Sequence, residues 1–286
     1  MRYAVRQLLK NPGFAVVAVL TLALGIGATT AIFSVVYGVL LRPLPYPDSG
    51  RIMAVFEVTS KGRPSRVADP NFDDFRDQSR SFQAMAKYHD TVASVSGATA
   101  PSRTTVATVS PEFLQVFRIQ PIIGRDFSAG DAAMGSGPTA LVSYDYWRQH
   151  LGAPRDLTQS HLKIDGAAFS VIGVLPAGFR FPSEADLWIP AGLESENPSR
   201  TSHNYYAVGR LRDGVTIEQA NRDVSAIARR IHDASTEQGD YLLTDGLVVA
   251  LQDSITGKAR PALLVLLGAV GFLLLVACAN VANLLL

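Results

Sequence analysis

Five histidines, one cysteine and 25 acidic residues are the groups in this 286-residue chain that could do chemistry. His89, His150, His161, His203 and His232 are scattered without the short spacings that gather ligands around a metal. Gly25-Ile26-Gly27-Ala28-Thr29 echoes a dinucleotide-binding turn. It lacks the third glycine, lies in an apolar run too long for a strand, and has no ribose-binding acid downstream. Gly135-Ser136-Gly137 is a flexible loop and not a nucleophile elbow. No Walker loop is present, which excludes ATP hydrolysis by that route. Asp73, Asp74 and Asp77 read as the solvated face of a short helix. Cys278, the only cysteine, excludes an intrachain disulfide. These residues assign no catalytic, metal or cofactor site, so a non-catalytic role without cofactor is expected.

The elements that would hold any site explain this poverty. Asn11–Leu41 is 31 residues without a charge, and Pro261–Leu286 is another 26. About 20 apolar residues cross a hydrocarbon core, so both stretches are long enough to span a membrane. Between them lie all 25 acidic residues and all 26 basic ones except Arg2, Arg6 and Lys10, a net of about −2 for 219 residues. The mean hydropathy of +0.16 therefore averages two materials. No basic stripe marks the water-facing part, which excludes a nucleic-acid partner. Arg2, Arg6 and Lys10 put the N-terminus in the cytoplasm and the 219-residue part outside. A cleaved signal peptide has an apolar region of only about 7–15 residues, roughly half of what is seen here. The chain stops at Asn283-Leu284-Leu285-Leu286, inside the apolar run, and is expected to be the front part of something longer.

The expected divisions are an amphipathic cytoplasmic segment (1–13), a first membrane helix (14–41), a core domain (42–260) and a truncated second membrane helix (261–286). In the first segment Val5, Leu8 and Leu9 share one face of a helix. Within the first span Ala23, Gly27 and Ala31 recur every four residues. Small side chains at that spacing admit a neighbouring helix, either the second span or a partner copy. As a continuous helix Asn11–Leu41 would be about 46 Å long, until the prolines of Arg42-Pro43-Leu44-Pro45 stop it.

In the water-facing part, strands are expected at Ile52–Val58, Thr91–Val95, Arg103–Val109, Thr139–Ser143, Leu187–Pro190, Tyr205–Leu211 and Tyr241–Leu251. Asp165-Gly166 sets a hairpin between His161–Ile164 and Phe169–Val174. Helices are expected from Asp69-Pro70, from Ser110-Pro111-Glu112 and over Tyr144–Leu151. Another follows the capping box Thr216-Ile217-Glu218-Gln219, with Arg229 and Arg230 in its final turn. The expected fold is α+β, with two transmembrane helices flanking a discontinuous α/β lobe and an inserted β-rich lobe at about 120–202.

Several segments resemble the MacB/FtsX-type ABC transporter permeases, in particular the duplicated orphan permease branch. They are Arg6-Gln7-Leu8 with Asn11-Pro12-Gly13-Phe14, Leu40–Tyr46, Gly124-Arg125-Asp126-Phe127, Val171–Pro176, Gly178-Phe179, Phe181-Pro182, Leu187–Pro190 and Ala277–Leu286. The chain departs from that pattern over Ala153–Gln159. The resemblance implies a two-lobed periplasmic core domain in the bacterial inner membrane and a separate ABC ATPase as partner. It also implies a second permease half or copy, and ATP-driven motion relayed through the membrane beside lipid. On topology alone the alternative is a transmembrane sensor with a periplasmic ligand-binding ectodomain.

Overall fold

A computed structural model describes residues 12–97, 101–133, 135–192, 199–235 and 239–285. The amphipathic segment expected at residues 2–10 lies outside them. The chain divides into a helical unit, residues 1–44 with 252–286, and a mixed α/β unit, Pro45–Leu251.

In the helical unit α1 (Pro12–Val36) runs into a π-turn, Tyr37–Leu41, and ends where Arg42 becomes extended before Pro43. Its partner is α7 (Arg260–Leu285). Apolar stretches Val19–Leu41 and Arg260–Ala279 have mean hydropathies of 2.1 and 2.8, and their side chains are overwhelmingly exposed. A core helix of a soluble protein would bury such residues; these need a hydrocarbon solvent instead. The two helices pack on each other.

The α/β unit is built on one sheet. Its eleven described strands are β1 (Ile52–Thr59), β2 (Pro64–Ser65), β3 (Phe82–Ser96), β4 (Ser102–Val109), β5 (Ile123–Gly124), β6 (Thr139–Val142), β7 (His161–Ile164), β8 (Ala167–Val174), β9 (Leu187–Pro190), β10 (Tyr206–Leu211) and β11 (Leu243–Ala250). The order is β11-β1-β10-β3-β4-β9-β6-β8-β5, with β2 on β1 and β7 bridging β3 and β8. Most pairs are antiparallel; β4 with β9 and β6 with β8 are parallel. The helices of this unit are α2 (Asp69–Gln78), α3 (Phe113–Phe117), α4 (Tyr144–His150) and α5 (Ile217–Ala234). Beyond β11 comes α6 (Leu251–Thr256), the short helix before α7.

Among the described residues, two apolar clusters on this sheet are the largest part of its core. The first gathers Met53 and Val55 of β1, Phe72 and Phe75 of α2, and Ala220, Val224, Ile227 and Ala228 of α5. The second gathers β6–β9 with Tyr146, and also takes in Ala93, Val95 and Val106 from β3 and β4. β3 explains how: its 15 residues extend about 50 Å, so Phe82 and Met85 serve the first core while Ala93 and Val95 serve the second.

The local signals behave as their physics requires. Thr216 Oγ accepts from Gln219 N (3.2 Å) and Gln219 Oε1 from Thr216 N (2.8 Å), closing the box that starts α5. Asp165 and Gly166 take φ of 46° and 88°, the left-handed pair that a two-residue hairpin needs. Some details differ from expectation. Ser143 ends no strand, because its hydroxyl caps α4 by accepting from Tyr146 N (3.0 Å). The Ser110 hydroxyl accepts from Lys87 N instead of capping α3. α5 continues to Ala234, so His232 and not Arg229 or Arg230 occupies its last turn. The free edge of β11 is covered at Val248, whose N–H and C=O both pair with the Asn221 side chain at 2.7 Å.

Candidate functional site

The chain enters the α/β unit at Tyr46-Pro47-Asp48, immediately after the first apolar helix, and this short segment is held from three directions. The first hold is Arg210 of β10, fully buried. Its Nε donates to Val116 O (2.7 Å), Nη2 to Pro47 O (2.9 Å) and Nη1 to Asp48 O (3.3 Å). Burial lowers the pKa of this guanidinium, as do the charges of Arg118 and Arg51, while Asp48 opposes them. An arginine nonetheless keeps its proton in a protein. A buried cation serving three carbonyls fixes the incoming backbone to both β10 and α3.

The second hold is an ion pair, Arg118 Nη1 to Asp48 Oδ2 at 2.7 Å, with Asp48 itself in the left-handed region at φ 47°. Next door, Arg51 donates to Leu211 O and pairs with Asp213, binding the following 3-10 turn (Ser49–Arg51) to the end of β10.

The third hold is aromatic. The Tyr46 ring lies 5.0 Å from Phe117 and 5.7 Å from Phe179; Phe117 is in turn 5.0 Å from Phe181. Tyr88 meets Phe181 at 5.2 Å, and Phe179 meets Trp188 at 5.7 Å. Trp188, fully buried, donates Nε1–H to Phe181 O at 2.9 Å. Edge-on and tilted ring pairs of this kind add about 0.5–1.5 kcal/mol each beyond the area they bury. Burial, aided by the charge of Glu184, pushes the Tyr46 hydroxyl up to about 12, so it stays neutral. The seam runs from the incoming segment to the loop between β8 and β9.

The chain leaves by β11, which pairs with β1 so that Ala250 stands opposite Met53. Arrival and departure therefore occur on neighbouring antiparallel strands at one end of the sheet.

Two further arrangements stiffen the unit. At Gly124 (φ +78°) a Cβ would sit 2.1 Å from Ile172 O, and one at Gly173 would sit 2.5 Å from Arg125 O, so only glycine lets β5 and β8 approach. Beside them Arg125 grips Asp131 in a fork, 2.7 and 2.8 Å, which holds the Asp131 carboxyl well below the usual range. Burial instead pushes Asp126 up to about 6. In the other half, the fully buried Glu57 accepts from Ala68 N (2.8 Å), Asn71 Nδ2 (3.0 Å) and His203 Nε2 (3.0 Å). Arg200 bonds both Asn71 Oδ1 (2.6 Å) and Asp74 Oδ2 (2.8 Å), so Asp74 faces a partner and not only solvent.

None of this assembles a nucleophile with a base, and no group of three or more metal-ligating side chains occurs among the described residues. The sequence-singled face Ala23, Gly27 and Ala31 is exposed, and a Cβ on Gly27 would meet nothing within 4 Å. At Gly27 that face therefore leaves open space. The contact with α7 is one row away, at Gly25, where a Cβ would lie 3.1 Å from Leu274 Cδ1 and 3.9 Å from Ala277 Cβ. Leu22, Gly25, Thr29, Ile32 and Val36 form the less exposed row. Gly25 and Thr29 are also four residues apart, so the spacing of small residues alone could not choose the row that meets α7. Arg210 and Glu57 had no signal either, since a charged residue in a strand normally reads as a solvated position.

The arrangement has relatives. Residues 15–227 match the MacB-like periplasmic core domain family. The fold is shared by a domain from Porphyromonas gingivalis described as part of a permease protein: TM-score 0.56, 18% identity, 73% of this chain and 92% of that one. It is shared by the periplasmic region of MacB from Actinobacillus actinomycetemcomitans: TM-score 0.54, 12% identity, coverage 80% and 98%. The extracellular domain of the noncanonical ABC-type transporter YknZ from Gram-positive bacteria is similar too: TM-score 0.52, 12% identity, coverage 69% and 99%. No curated protein sequence matches. With its α+β core domain set between two apolar helices, this chain belongs to the MacB-like periplasmic core domain family of MacB/FtsX-type permeases.

Proposed function

We propose that the chain is a permease component that relays ATP-driven motion to its periplasmic core domain, with a separate cytoplasmic ABC ATPase supplying the energy. Residues 42–260 face the periplasm and both apolar helices cross the inner membrane, with Arg2, Arg6 and Lys10 on the cytoplasmic side. One observation carries the reading. The chain enters and leaves the core domain on adjacent strands, with Met53 opposite Ala250, and the incoming segment is fastened by Arg210 and the aromatic seam. Displacing either helix would therefore load one end of a stiff sheet and move it as a body. Ala23, Gly27 and Ala31 face outward, and we assign that face to a helix of a second permease half or copy.

The test uses the full permease with its ATPase in lipid nanodiscs, spin-labelled at Val92→Cys in each permease copy on a Cys278→Ala background. ATP should shift the distance between labels by several ångström when the ATPase is present and leave it unchanged when it is absent. An unchanged distance under turnover would defeat the relay reading. A shift driven by a small periplasmic ligand without ATP would favour the sensor alternative.

A further inference from the structure

Basic residues crowd one end of the helical unit, the end that the topology above places outside, where the positive-inside rule disfavours them. Arg42 ends the π-turn of the first helix, and Lys258 and Arg260 stand at the start of α7; all three are exposed. They share one level. The Gly25 contact with Leu274 and Ala277 sets the register between the helices. Counting 17 residues from Gly25 reaches Arg42, and counting 14 to 17 back from Leu274 and Ala277 reaches Arg260. At 1.5 Å per residue each lies about 21–26 Å from that contact. Gln252 holds the two ends together, its amide donating to Leu40 O and Arg42 O, both at 3.0 Å. Tyr37, exposed and stacked 6.3 Å from Phe33, lies one turn deeper, where an amphipathic ring marks the headgroup boundary. Asp253 is the acidic residue at this end. It lies 3.8 Å from Arg260 and is itself mostly exposed, so three cations face one carboxylate.

We propose that Arg42, Lys258 and Arg260 bind the phosphodiester headgroup of an anionic phospholipid in the leaflet at this end of the helix pair. The occupant is argued from the level and from the side chains below it. Leu41 and Leu264, 59% and 49% exposed, lie under the cations and receive acyl chain, which a free phosphate does not have. The long stems of arginine and lysine reach outward along such a surface while their heads stay wet. Anionic headgroups attract each basic residue near a membrane surface enough for a preference of about fivefold per residue.

The inference rests on the helices being membrane spans, and its test separates the two. The full chain carrying Leu41→Trp is reconstituted in vesicles of dibrominated phosphatidylglycerol or dibrominated phosphatidylcholine. Fluorescence from Trp147 and Trp188 is subtracted using the unsubstituted chain. Quenching should show phosphatidylglycerol preferred at this site by at least about fivefold. Arg42→Gln with Lys258→Gln and Arg260→Gln should bring the ratio close to one, whereas Arg42→Lys with Arg260→Lys should keep the preference. An exposed basic residue of the core domain, Arg212→Gln, should leave it unchanged. Equal quenching by both lipids, or a preference that survives the triple glutamine variant, overturns the proposal. So does a preference abolished by millimolar inorganic phosphate at constant ionic strength, which would make free phosphate the ligand. Quenching by neither lipid would refute the membrane-span reading itself.

Discussion

Replacing Arg210 with methionine removes a buried cation together with its bonds to three backbone carbonyls. Asp48 O keeps a second donor, Arg51 N at 3.0 Å, so the loss concentrates on Val116 O and Pro47 O. A buried carbonyl deprived of its donor costs about 1–3 kcal/mol, which puts the gross loss at roughly 2–6 kcal/mol. Methionine recovers part of it, because its chain fills the arginine stem's space and no charge need be desolvated. A net loss of about 3 kcal/mol is expected. For a unit of about 200 residues, each kcal/mol lowers the melting temperature by about 2–4 °C, so the full chain in detergent should melt about 6–12 °C earlier. Arg210→Lys retains the charge and one bond without the fork, and should fall between the two. Differential scanning calorimetry of the three proteins measures this directly. A methionine variant within about 2 °C of the parent would show that the guanidinium does not fasten the incoming segment.

Three further outcomes are expected. Gly25→Leu should weaken the α1–α7 contact by about 1–3 kcal/mol, and Gly27→Leu by less than about 0.5 kcal/mol. Disulfide trapping between Leu40→Cys and Gln252→Cys reports both, and equal effects would misplace the contact. Around Asp126 and Asp131, stability should respond to pH with opposite signs. Asp126, raised to about 6 by burial, adds stability at low pH that is lost as pH rises through about 6, so Asp126→Asn should flatten that window in urea titrations. Asp131, lowered chiefly by its bonds to Arg125, adds stability at neutral pH that is lost on acidification below its ordinary 3.8, so the Asp131→Asn deficit should shrink there. For orientation, Ser136→Cys on a Cys278→Ala background should react with a membrane-impermeant thiol reagent in cells whose outer membrane alone is permeabilised. Labelling only after inner-membrane lysis would invert the topology.

What the amino-acid sequence determined by itself was whatever depends on neighbours along the chain. Apolar length marked both spans, prolines after Leu41 marked the end of the first helix, and Asp165-Gly166 and Thr216–Gln219 marked a turn and a cap. Each of these is settled within a few residues, by backbone sterics or by a side chain reaching its own backbone. Tertiary structure alone decided the rest. β3 reads as a strand only over Thr91–Val95, because Ala84-Met85-Ala86-Lys87 has no alternation; pairing to β10 on one side and β4 on the other extends it to 15 residues. Gly25 and not Gly27 meets α7 because helix rotation, absent from any spacing rule, chooses the row. Arg210 and Glu57 are buried because their partners, Val116, Pro47 and His203, lie 94, 163 and 146 residues away. A charge is taken out of water only where such distant groups converge to satisfy it, and that convergence exists only in the folded chain.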